Sequence, residues 1–311
     1  MSQPLFVDLD SLPPDHRSGF VAVIGRPNVG KSTLVNRLLG QKIAIVSPKP
    51  QTTRTRILGI LTREDAQIVL IDTPGLYPAT HKLGEVMVAT ASRAIPDADV
   101  VLFVVDVSVL PTDEDRAIAE MIRDKTEKPL LLVMNKMDCL PAEQVQQHST
   151  AYWELAPGHA AWMMTVATDG VNLDKLLDAI IEQLPQGPRY YPHSQVTDQT
   201  EREIAAELIR EQVLRFTHEE VPHSVAVVVN EFKERENGVL YIAADIHVER
   251  DSQKGIIIGK EGKMLKRIGA GARKEIERMV GGRIYLDLWV KVSKNWRRNE
   301  NLIRWLGYRS D

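Results

Sequence analysis

The first half of the chain alternates short, nearly uncharged apolar runs with segments whose apolar residues recur at helical spacing. Uncharged runs of about four to eight residues are typical of strands that are buried on both faces of a parallel sheet. The pattern predicts strands at Phe20–Ile24, Ile68–Ile71, Val100–Val105, Leu130–Met134 and Trp162–Val166. It predicts helices at Lys31–Leu39, Leu83–Ala94, Asp113–Lys125 and Leu173–Gln183. Strands that alternate with helices indicate a doubly wound, mostly parallel α/β domain.

The pattern changes after Pro185–Pro192, a segment rich in proline and glycine that is typical of a linker. Beyond it we predict a small α+β domain whose first two strands are antiparallel around a turn at 236–238. Its predicted elements are helices at Glu201–Phe216 and Lys263–Val280 and strands at Val225–Val229, Leu240–Val248 and Ile284–Val292. The predicted organisation is a loose arm over residues 1–17, an α/β domain over 18–185, a linker over 186–200 and the second domain over 201–311.

The amino-acid composition indicates the cellular compartment in which the protein is expected. The 311 residues are 43% hydrophobic and 26% charged, which is ordinary for a globular protein. A single cysteine, Cys139, excludes an intramolecular disulfide and fits a reducing cytosol. No apolar run approaches the roughly 20 residues of a membrane span, and the N-terminus lacks the layout of a signal peptide. We therefore expect a soluble protein of the cytoplasm.

Charge is distributed unevenly between residues 251–311 and the 250 residues that precede them, which carry 24 basic and 35 acidic side chains. The formal net charge is −3, yet residues 251–311 carry 15 lysines and arginines against 7 acidic residues. A basic module joined to an acidic one indicates a polyanionic partner for the basic module.

Residues 25–33 read GRPNVGKST and lie between the first predicted strand and the first predicted helix. This order makes a phosphate-binding loop, because inward-turned backbone N–H groups and a helix N-terminus both attract anions. Lys31 is expected to reach the outer phosphates and the Ser32 hydroxyl to hold a magnesium ion. The alternative is a glycine-containing turn that binds nothing. The candidate residues are Gly25, Arg26, Pro27, Asn28, Val29, Gly30, Lys31, Ser32 and Thr33.

A second motif, Asp72-Thr73-Pro74-Gly75, directly follows the predicted strand Ile68–Ile71. The Asp72 carboxylate can hold magnesium through water, and the backbone N–H of Gly75 can meet the terminal phosphate and so sense its presence. A DxxG sequence is often only a turn, so its place after an apolar strand is what makes it informative. Thr73 and Pro74 are included in the candidate nucleotide site.

A third motif, Asn135-Lys136-Met137-Asp138, follows the predicted strand Leu130–Met134 and indicates the base. The Asp138 carboxylate could accept hydrogen bonds from the ring N–H and the amino group of guanine, which adenine cannot offer. Asn135 and Lys136 would shape the pocket. Taken alone, Asp138 could equally be a helix N-cap. Three motifs in this order, each at a strand end, predict a GTP site.

The segment Pro50–Thr55 lies between the first two motifs and offers a further magnesium ligand. A threonine hydroxyl here would contact magnesium only when the third phosphate is present, which would order the loop. Thr53 is preferred to Thr52, although spacing alone does not separate neighbours. Arg54 and Arg56 are expected to be solvated loop charges.

In the basic module, Gly259-Lys260-Glu261-Gly262 follows an apolar run and precedes a predicted helix rich in lysine and arginine. A GxxG loop of this kind clamps the backbone of about four nucleotides in KH domains, whereas a helix–helix turn is the structural alternative. The candidate RNA contacts are Gly259, Lys260, Glu261, Gly262, Lys263, Lys266 and Arg267. The aromatic residues Tyr285, Trp289, Trp296 and Trp305 are expected to be core residues rather than stacking platforms.

The motifs GRPNVGKST, PQTTRTR, DTPGL and NKMD resemble those of the TrmE–Era–EngA group of translation-associated GTPases. With the second domain included, the chain resembles the Era family from Gly19 to Tyr308. The resemblance implies a P-loop GTPase domain followed by a type II KH domain. It also implies that Leu76 stands where many GTPases have a water-orienting glutamine, so a slow intrinsic rate is expected. Asn28 is associated in this group with a potassium ion that replaces an arginine finger.

One departure from the family is visible in the loop that is expected to contact guanine. The family usually has Ser-Ala there, whereas this chain reads Thr165-Val166-Ala167. The backbone N–H of Ala167 could still donate to the guanine O6. The departure therefore affects only the supporting contact that a serine hydroxyl would make.

The resemblance implies a switch that binds GTP and GDP and hydrolyses GTP, with Lys31, Thr53, Gly75 and Asn28 as catalytic residues and Mg²⁺ and K⁺ as cofactors. It implies that the KH domain binds 16S ribosomal RNA near its 3′ end during maturation of the 30S subunit. A monomer, with peripheral association at the inner membrane surface, is expected. Two alternatives remain: an RNA chaperone that binds GTP without hydrolysing it, and a GTPase whose basic tail binds anionic lipid.

Overall fold

A six-stranded and a three-stranded sheet organise the computed structural model, which describes residues 12–236 and 238–308. Contacts divide the chain into two compact units. The first unit contains the described residues up to Ile43, then Thr53–Pro78 and Met87–Asp198; the second contains Ala44–Thr52, Ala79–Val86 and the described residues from Gln199 onwards. None of the described helices combines the length and apolar character that crossing a membrane requires.

The six-stranded sheet has the strand order β2-β3-β1-β4-β5-β6, in which only β2 is antiparallel to its neighbour. Its strands are β1 (Arg17–Ile24), β2 (Ile57–Thr62), β3 (Ala66–Asp72), β4 (Val100–Asp106), β5 (Leu130–Asn135) and β6 (Ala161–Thr165). The helices in this part of the chain are α1 (Lys31–Leu39), α2 (Lys82–Asp97), α3 (Asp113–Lys125), α4 (Val145–Leu155) and α5 (Leu173–Gln183). The doubly wound, mostly parallel architecture predicted from the sequence is confirmed.

Two elements of the first unit were not predicted. Strand β2 carries a glycine, Gly59, which weakens a strand pattern; a Cβ there would lie 2.6 Å from Leu39 Cδ1, because helix α1 packs closely against this position. Helix α4 is mostly polar, and tertiary contacts hold it: a ring nitrogen of His148 lies 2.7 Å from the Val107 carbonyl oxygen, and the Tyr152 hydroxyl donates to Asp106 O at 3.0 Å.

The segment that follows α5 is hydrogen-bonded to the first unit. Gly187 N donates to His16 O at 3.0 Å, the Gln67 side chain accepts from Tyr190 N at 2.7 Å, and Ile60 N donates to Val196 O at 2.9 Å. The predicted arm over 1–17 falls mainly on residues outside the described part, and Arg17 already begins β1. The domain boundaries at 185 and 201 stay a prediction.

The three-stranded sheet of the second unit has the order β7-β8-β9, with β7 antiparallel and β9 parallel to β8. The elements in this part of the chain are α6 (Glu201–Phe216), α7 (Val221–Ser224), β7 (Ala226–Glu234), β8 (Leu240–Val248), α8 (Asp251–Ile258), α9 (Lys263–Val280), β9 (Ile284–Val292) and α10 (Glu300–Trp305). Helices α6, α8 and α9 pack on one face of the sheet, where Ile242, Ala244 and Ile246 are fully buried. Asn237, in the predicted turn, lies outside the described residues.

The expectation that the aromatic residues of the second unit are core residues is wrong for three of the four. Trp296 is buried, but Tyr285, Trp289 and Trp305 are 56%, 62% and 58% exposed. Tyr285 and Trp289 occupy alternate positions of β9 that point away from the packed helices, since successive residues of a strand face opposite sides of the sheet.

Candidate functional site

The loop between β1 and α1 folds as a cradle that glycine makes possible. Gly30 has φ 104°, and a Cβ there would lie 2.3 Å from Asn135 Nδ2. A Cβ on Gly25 would lie 2.2 Å from the Val104 carbonyl oxygen. Asn28 also has a left-handed backbone, with φ 64°. Contacts with β4 and β5 therefore exclude side chains at Gly25 and Gly30, and the backbone passes close to its neighbours.

Lys31 begins helix α1 with its side chain buried along the loop. Its Nζ donates to Gly25 O at 2.9 Å and to Arg26 O at 3.0 Å. Burial lowers the pKa of Lys31 to about 8, although the nearby Asp72 carboxylate opposes the shift. The ammonium group is thus held within the loop that is expected to receive phosphates.

Three oxygen-bearing side chains meet beside Lys31. Ser32 Oγ donates to Asp72 Oδ2 at 2.7 Å and lies 2.8 Å from Thr53 Oγ1. Burial raises the pKa of Asp72 to about 6, and the hydrogen bond from Ser32 acts in the opposite direction. The hydroxyl of Thr52 is occupied elsewhere, because it donates to Lys49 O at 2.6 Å.

This cluster fits a hard cation. Asp72 Oδ1 is buried and has no hydrogen-bond partner, so one lone-pair-bearing oxygen is left for a metal. Magnesium commonly uses only one or two carboxylates together with hydroxyls, water and substrate phosphates. Among the described residues no group of three or more His, Cys, Asp or Glu side chains could hold a metal by itself.

The residues after β3 lie against the phosphate loop. Thr73 Oγ1 donates to Val23 O at 2.7 Å, and a Cβ on Gly75 would lie 2.7 Å from the Pro27 backbone. Leu76 N donates to Gly25 O at 3.3 Å, and the Leu76 side chain is buried in the core. Leu76 therefore has neither the hydrogen-bonding group nor the exposure to orient a water molecule.

Asn135 connects three loops at the end of the sheet where the base is expected. Its Nδ2 donates to Val29 O at 2.8 Å, and its Oδ1 accepts from Thr165 Oγ1 at 3.1 Å and from Ala167 N at 3.0 Å. The Thr165 hydroxyl therefore ties the loop to Asn135, and the sequence had not indicated this role. Asp138 is exposed, as a residue that contacts a bound base from the solvent side must be.

Two buried acids support this edge of the sheet and were not predicted. Asp106, the last residue of β4, accepts from Lys136 Nζ at 2.6 Å, and Asp115 accepts from Arg26 Nε at 3.2 Å. The place of Asp106 at a strand end was the available signal, since ligands of open α/β sheets gather there. Arg56 is exposed as expected, whereas Arg54 is buried, so the expectation of a solvated charge at Arg54 is wrong.

The GxxG loop joins helices α8 and α9 and consists largely of left-handed backbone. Gly259, Glu261 and Gly262 have φ values of 69°, 56° and 73°. A Cβ on Gly259 would lie 2.7 Å from Met264 Cβ, whereas a Cβ on Gly262 would meet no atom within 4 Å. Gly262 therefore has open space in front of its backbone, which is where a bound chain could approach.

The candidate lysines around this loop are exposed. Lys260, Lys263 and Lys266 all face solvent, and Lys263 Nζ forms an ion pair with Glu261 at 2.9 Å. Arg267 differs from them because its guanidinium lies 4.2 Å from the centroid of the Phe216 ring. Ile256, on the last turn before the loop, is half exposed and adds apolar surface.

Comparison with known protein families gives two matches within the chain. Residues 20–136 match the model described as 50S ribosome-binding GTPase, and residues 220–297 match the model described as KH domain. The first match contains the phosphate loop, the Asp72 motif and part of the Asn135 motif, and the second contains the GxxG loop. The predicted P-loop GTPase domain followed by a KH domain is confirmed.

Full-length relatives give the same result. The chain is 48% identical over 295 residues to the GTPase Era of Heliobacterium modesticaldum, covering 94% of this chain and 97% of that relative. It is 49% identical over 306 residues to the GTPase Era of a Nostoc species, covering 97% and 93%.

Solved structures agree in fold over the same extent. A crystal structure of Era in complex with MgGDPNP and nucleotides 1506–1542 of 16S ribosomal RNA superposes with a TM-score of 0.91 at 41% identity, over 94% of this chain and 99% of that chain. A crystal structure of a single-residue variant of Aquifex aeolicus Era bound to GDP·AlF4⁻ has a TM-score of 0.90 at 41% identity, over the same shares of the two chains. Because these matches cover more than nine-tenths of the chain and so extend over both units, this chain belongs to the GTPase Era family.

Proposed function

We propose that this protein hydrolyses GTP and binds small-subunit ribosomal RNA near its 3′ end, as a switch that acts in assembly of the 30S subunit. The observation that carries the GTPase part is the meeting of Lys31, Ser32, Thr53 and Asp72 at one edge of the sheet. The solved Era complex with MgGDPNP and 16S RNA nucleotides supports the RNA part.

In this proposal the nucleotide lies along the phosphate loop. Backbone N–H groups of residues 25–33 hold the phosphates, and Lys31 places positive charge where charge develops during phosphoryl transfer to water. The Gly75 N–H meets the terminal phosphate. Asp138 accepts two hydrogen bonds from guanine, while Asn135, Lys136 and the Ala167 loop shape the pocket.

Ser32, Thr53 and Asp72 would hold the magnesium ion, through water in the case of Asp72. The ion supplies charge neutralisation between the phosphates when it is bound. We further propose that Asn28 offers an oxygen ligand to potassium; the residue lies in the phosphate loop, and its side chain is exposed. Because Leu76 is buried and apolar, the intrinsic rate is expected to be slow.

The GxxG loop holds RNA in this proposal. The open space at Gly262 admits a phosphate backbone, and the exposed lysines Lys260, Lys263 and Lys266 neutralise its charge. The half-exposed Ile256 offers apolar contact to an unstacked base.

We propose further that the protein acts as a monomer in the cytoplasm. The exposed Cys139 fits a reducing compartment. Any association with the inner membrane surface would be peripheral, through the basic residues of 251–311 and anionic lipid.

The test combines phosphate release with RNA filter binding. We expect release of phosphate from GTP that is faster in potassium than in sodium at equal ionic strength, together with binding of an oligonucleotide from the 3′ end of 16S RNA. Lys31→Ala should abolish phosphate release. If the protein binds GTP but releases no phosphate, either with RNA or without it, the proposed enzymatic activity is wrong. The protein would then be a switch that binds GTP without hydrolysing it. Equal rates in the two salts would remove Asn28 from the proposal.

A further inference from the structure

The sheet of the second unit has one face that helices α6, α8 and α9 do not cover. Side chains that alternate with the buried Ile242, Ala244 and Ile246 point to the other side, and strand pairing places Tyr241 beside Tyr285 and Asp245 beside Trp289. Trp289, at 62%, is the most exposed large apolar residue of the described chain. Single exposed apolar residues are ordinary on protein surfaces, but three aromatic residues on one face of a three-stranded sheet are not. We call Tyr241, Tyr285 and Trp289 the aromatic patch.

The rings of the patch are oriented by their neighbours. Tyr241 and Tyr285 stack with their centroids 5.8 Å apart and their planes 22° apart. The Arg235 guanidinium lies 4.0 Å from the Tyr241 centroid and 5.3 Å from the Tyr285 centroid. The indole Nε1 of Trp289 donates to Asp287 Oδ2 at 3.3 Å. Rings that are already oriented lose less side-chain freedom when a ligand binds.

Two of the cations beside the patch are already paired with carboxylates. Lys291 pairs with Asp245 at 2.6 Å, and Lys233 pairs with Glu231. Arg235 forms no ion pair with any carboxylate of the described residues; its contacts are the two tyrosine rings. A guanidinium held on aromatic rings can meet a phosphate while a neighbouring ring receives a base.

The extent of the patch argues against a protein partner. The far end of the same face is covered by the C-terminal segment, since His247 is buried and lies edge-on to Trp305 with ring centroids 5.3 Å apart. Three rings are left, whereas a stable protein interface buries about 800 Å² on each partner and uses about 20 residues.

The distance between the rings of Tyr285 and Trp289 favours a ligand whose bases are not stacked on each other. Tyr285 and Trp289 are four residues apart on one strand, which is a distance of about 13 Å. Bases that remain stacked on each other are separated by about 3.4 Å along a strand. Two bases on the two rings must therefore be splayed apart, as they can be in single-stranded RNA.

From these observations we infer that the aromatic patch is a second RNA-binding surface, on which unpaired bases stack against Trp289 and Tyr285 while Arg235 contacts the phosphate backbone. It lies on the sheet face opposite helices α8 and α9, which carry the GxxG loop between them. The inference rests on the proposed RNA binding of that loop. A bound strand that reaches both surfaces is longer than the nucleotides that the loop alone clamps.

The test compares two single-stranded oligonucleotides from the 3′ end of 16S RNA, one of about four nucleotides, which a GxxG loop can clamp, and one of about a dozen. Trp289→Ala and Tyr285→Ala should each weaken binding of the long oligonucleotide by about 5- to 100-fold, the range for loss of one stacked base, and leave the short one unchanged. Trp162→Ala, at an aromatic residue of the first unit that is 45% exposed, is the matched control and should bind both like wild type.

A fluorescence readout separates stacking from an indirect effect. The long oligonucleotide should quench tryptophan fluorescence in the wild type, and Trp289→Phe should lose this quenching while it retains more affinity than Trp289→Ala. Gly262→Asp should lose both oligonucleotides. If Gly262→Asp loses binding but both patch variants bind the long oligonucleotide like wild type, the patch is not an RNA surface and the GxxG proposal stands. If wild type binds neither oligonucleotide, both proposals are wrong.

Discussion

The proposed selection of guanine rests on the single carboxylate of Asp138. The residue is exposed at the end of the sheet, in the turn that follows β5. The side chain of the nearby Asn135 is held by three hydrogen bonds, one to Val29 of the phosphate loop and two to Thr165 and Ala167. This arrangement holds the backbone of the motif still and leaves the carboxylate at the surface, where it can meet a base. Selectivity should therefore follow the hydrogen-bonding character of this one side chain.

We predict that Asp138→Asn prefers XTP to GTP. The exchange replaces an acceptor with a donor opposite the 2-substituent of the base, which is an amino group in guanine and an oxygen in xanthine. Loss of the hydrogen bond between the charged carboxylate and the 2-amino group, with an amide donor left facing that group, should weaken GTP binding by roughly 10-fold or more. Titration of both nucleotides against both proteins measures the change. Asp174→Asn, at an exposed acid in the first turn of α5, is the control, and unchanged preference in Asp138→Asn would remove the residue from the base pocket.

Among the secondary-structure elements, helix α3 is connected to the phosphate loop through its N-terminal capping box. Thr112 Oγ1 accepts from Asp115 N at 3.2 Å, and the Asp115 carboxylate accepts from Thr112 N at 3.0 Å. The same buried carboxylate accepts from Arg26 of the phosphate loop. Helix α6 carries a similar capping box, formed by Thr200 and Glu203, but on the surface. The two boxes provide a matched pair.

We predict that Thr112→Ala lowers stability more than Thr200→Ala. Loss of an N-cap typically costs about 1 kcal/mol, and this should be the effect of Thr200→Ala. Thr112→Ala also removes a 2.9 Å hydrogen bond to a carboxylate that water cannot reach, so its cost should be about 2 kcal/mol. Thermal or urea unfolding of the two variants compares them directly. An equal loss in both would mean that burial of Asp115 adds nothing to the cap.

At the scale of the whole molecule, the two proposed activities reside in different compact units. Lys31 belongs to the first unit and Gly262 to the second. The groups that would bind nucleotide and those that would bind RNA therefore share no residue, and each activity should be removable by itself.

We predict that Gly262→Asp weakens RNA binding at least tenfold, while its basal rate of phosphate release stays close to that of the wild type. We predict the opposite for Lys31→Ala, which should lose nucleotide binding and retain RNA binding. The aspartate introduces negative charge where an RNA backbone must approach. Gly281→Asp is the matched control, because Gly281 at the end of α9 has φ 68° and, like Gly262, open space around a Cβ. Filter binding at several salt concentrations should show affinity that falls steeply with salt.

If Gly262→Asp binds RNA like wild type, the GxxG loop is only a turn between two helices, and the positive charge of residues 251–311 needs another partner. If Gly281→Asp loses RNA binding to the same degree, backbone strain rather than charge at the loop explains the defect.

Helices and strands whose apolar residues recur at regular spacing could be predicted from the local sequence. The bounds of Lys31–Leu39, Leu240–Val248, Lys263–Val280 and Ile284–Val292 coincide with the observed elements, because their apolar spacing alone distinguishes helix from strand. Strand β2 and helix α4 were missed. Strand β2 contains a glycine that interrupts its apolar pattern, and helix α4 has too many polar residues for a clear helical pattern. Both elements are stabilised by packing and hydrogen bonds to residues distant in sequence.

The motifs and their order could be predicted without the structure, because the phosphate loop, the Asp72 motif and the Asn135 motif are each local in sequence and each lie at the end of a strand. The positive charge of residues 251–311 could also be counted directly from the sequence. The folded structure was needed to establish which oxygens meet beside Lys31, that Arg54 is buried, and that Trp289 is exposed while Trp296 is not. These properties depend on which face of an element is covered by another, and that is determined by packing between segments far apart in the chain.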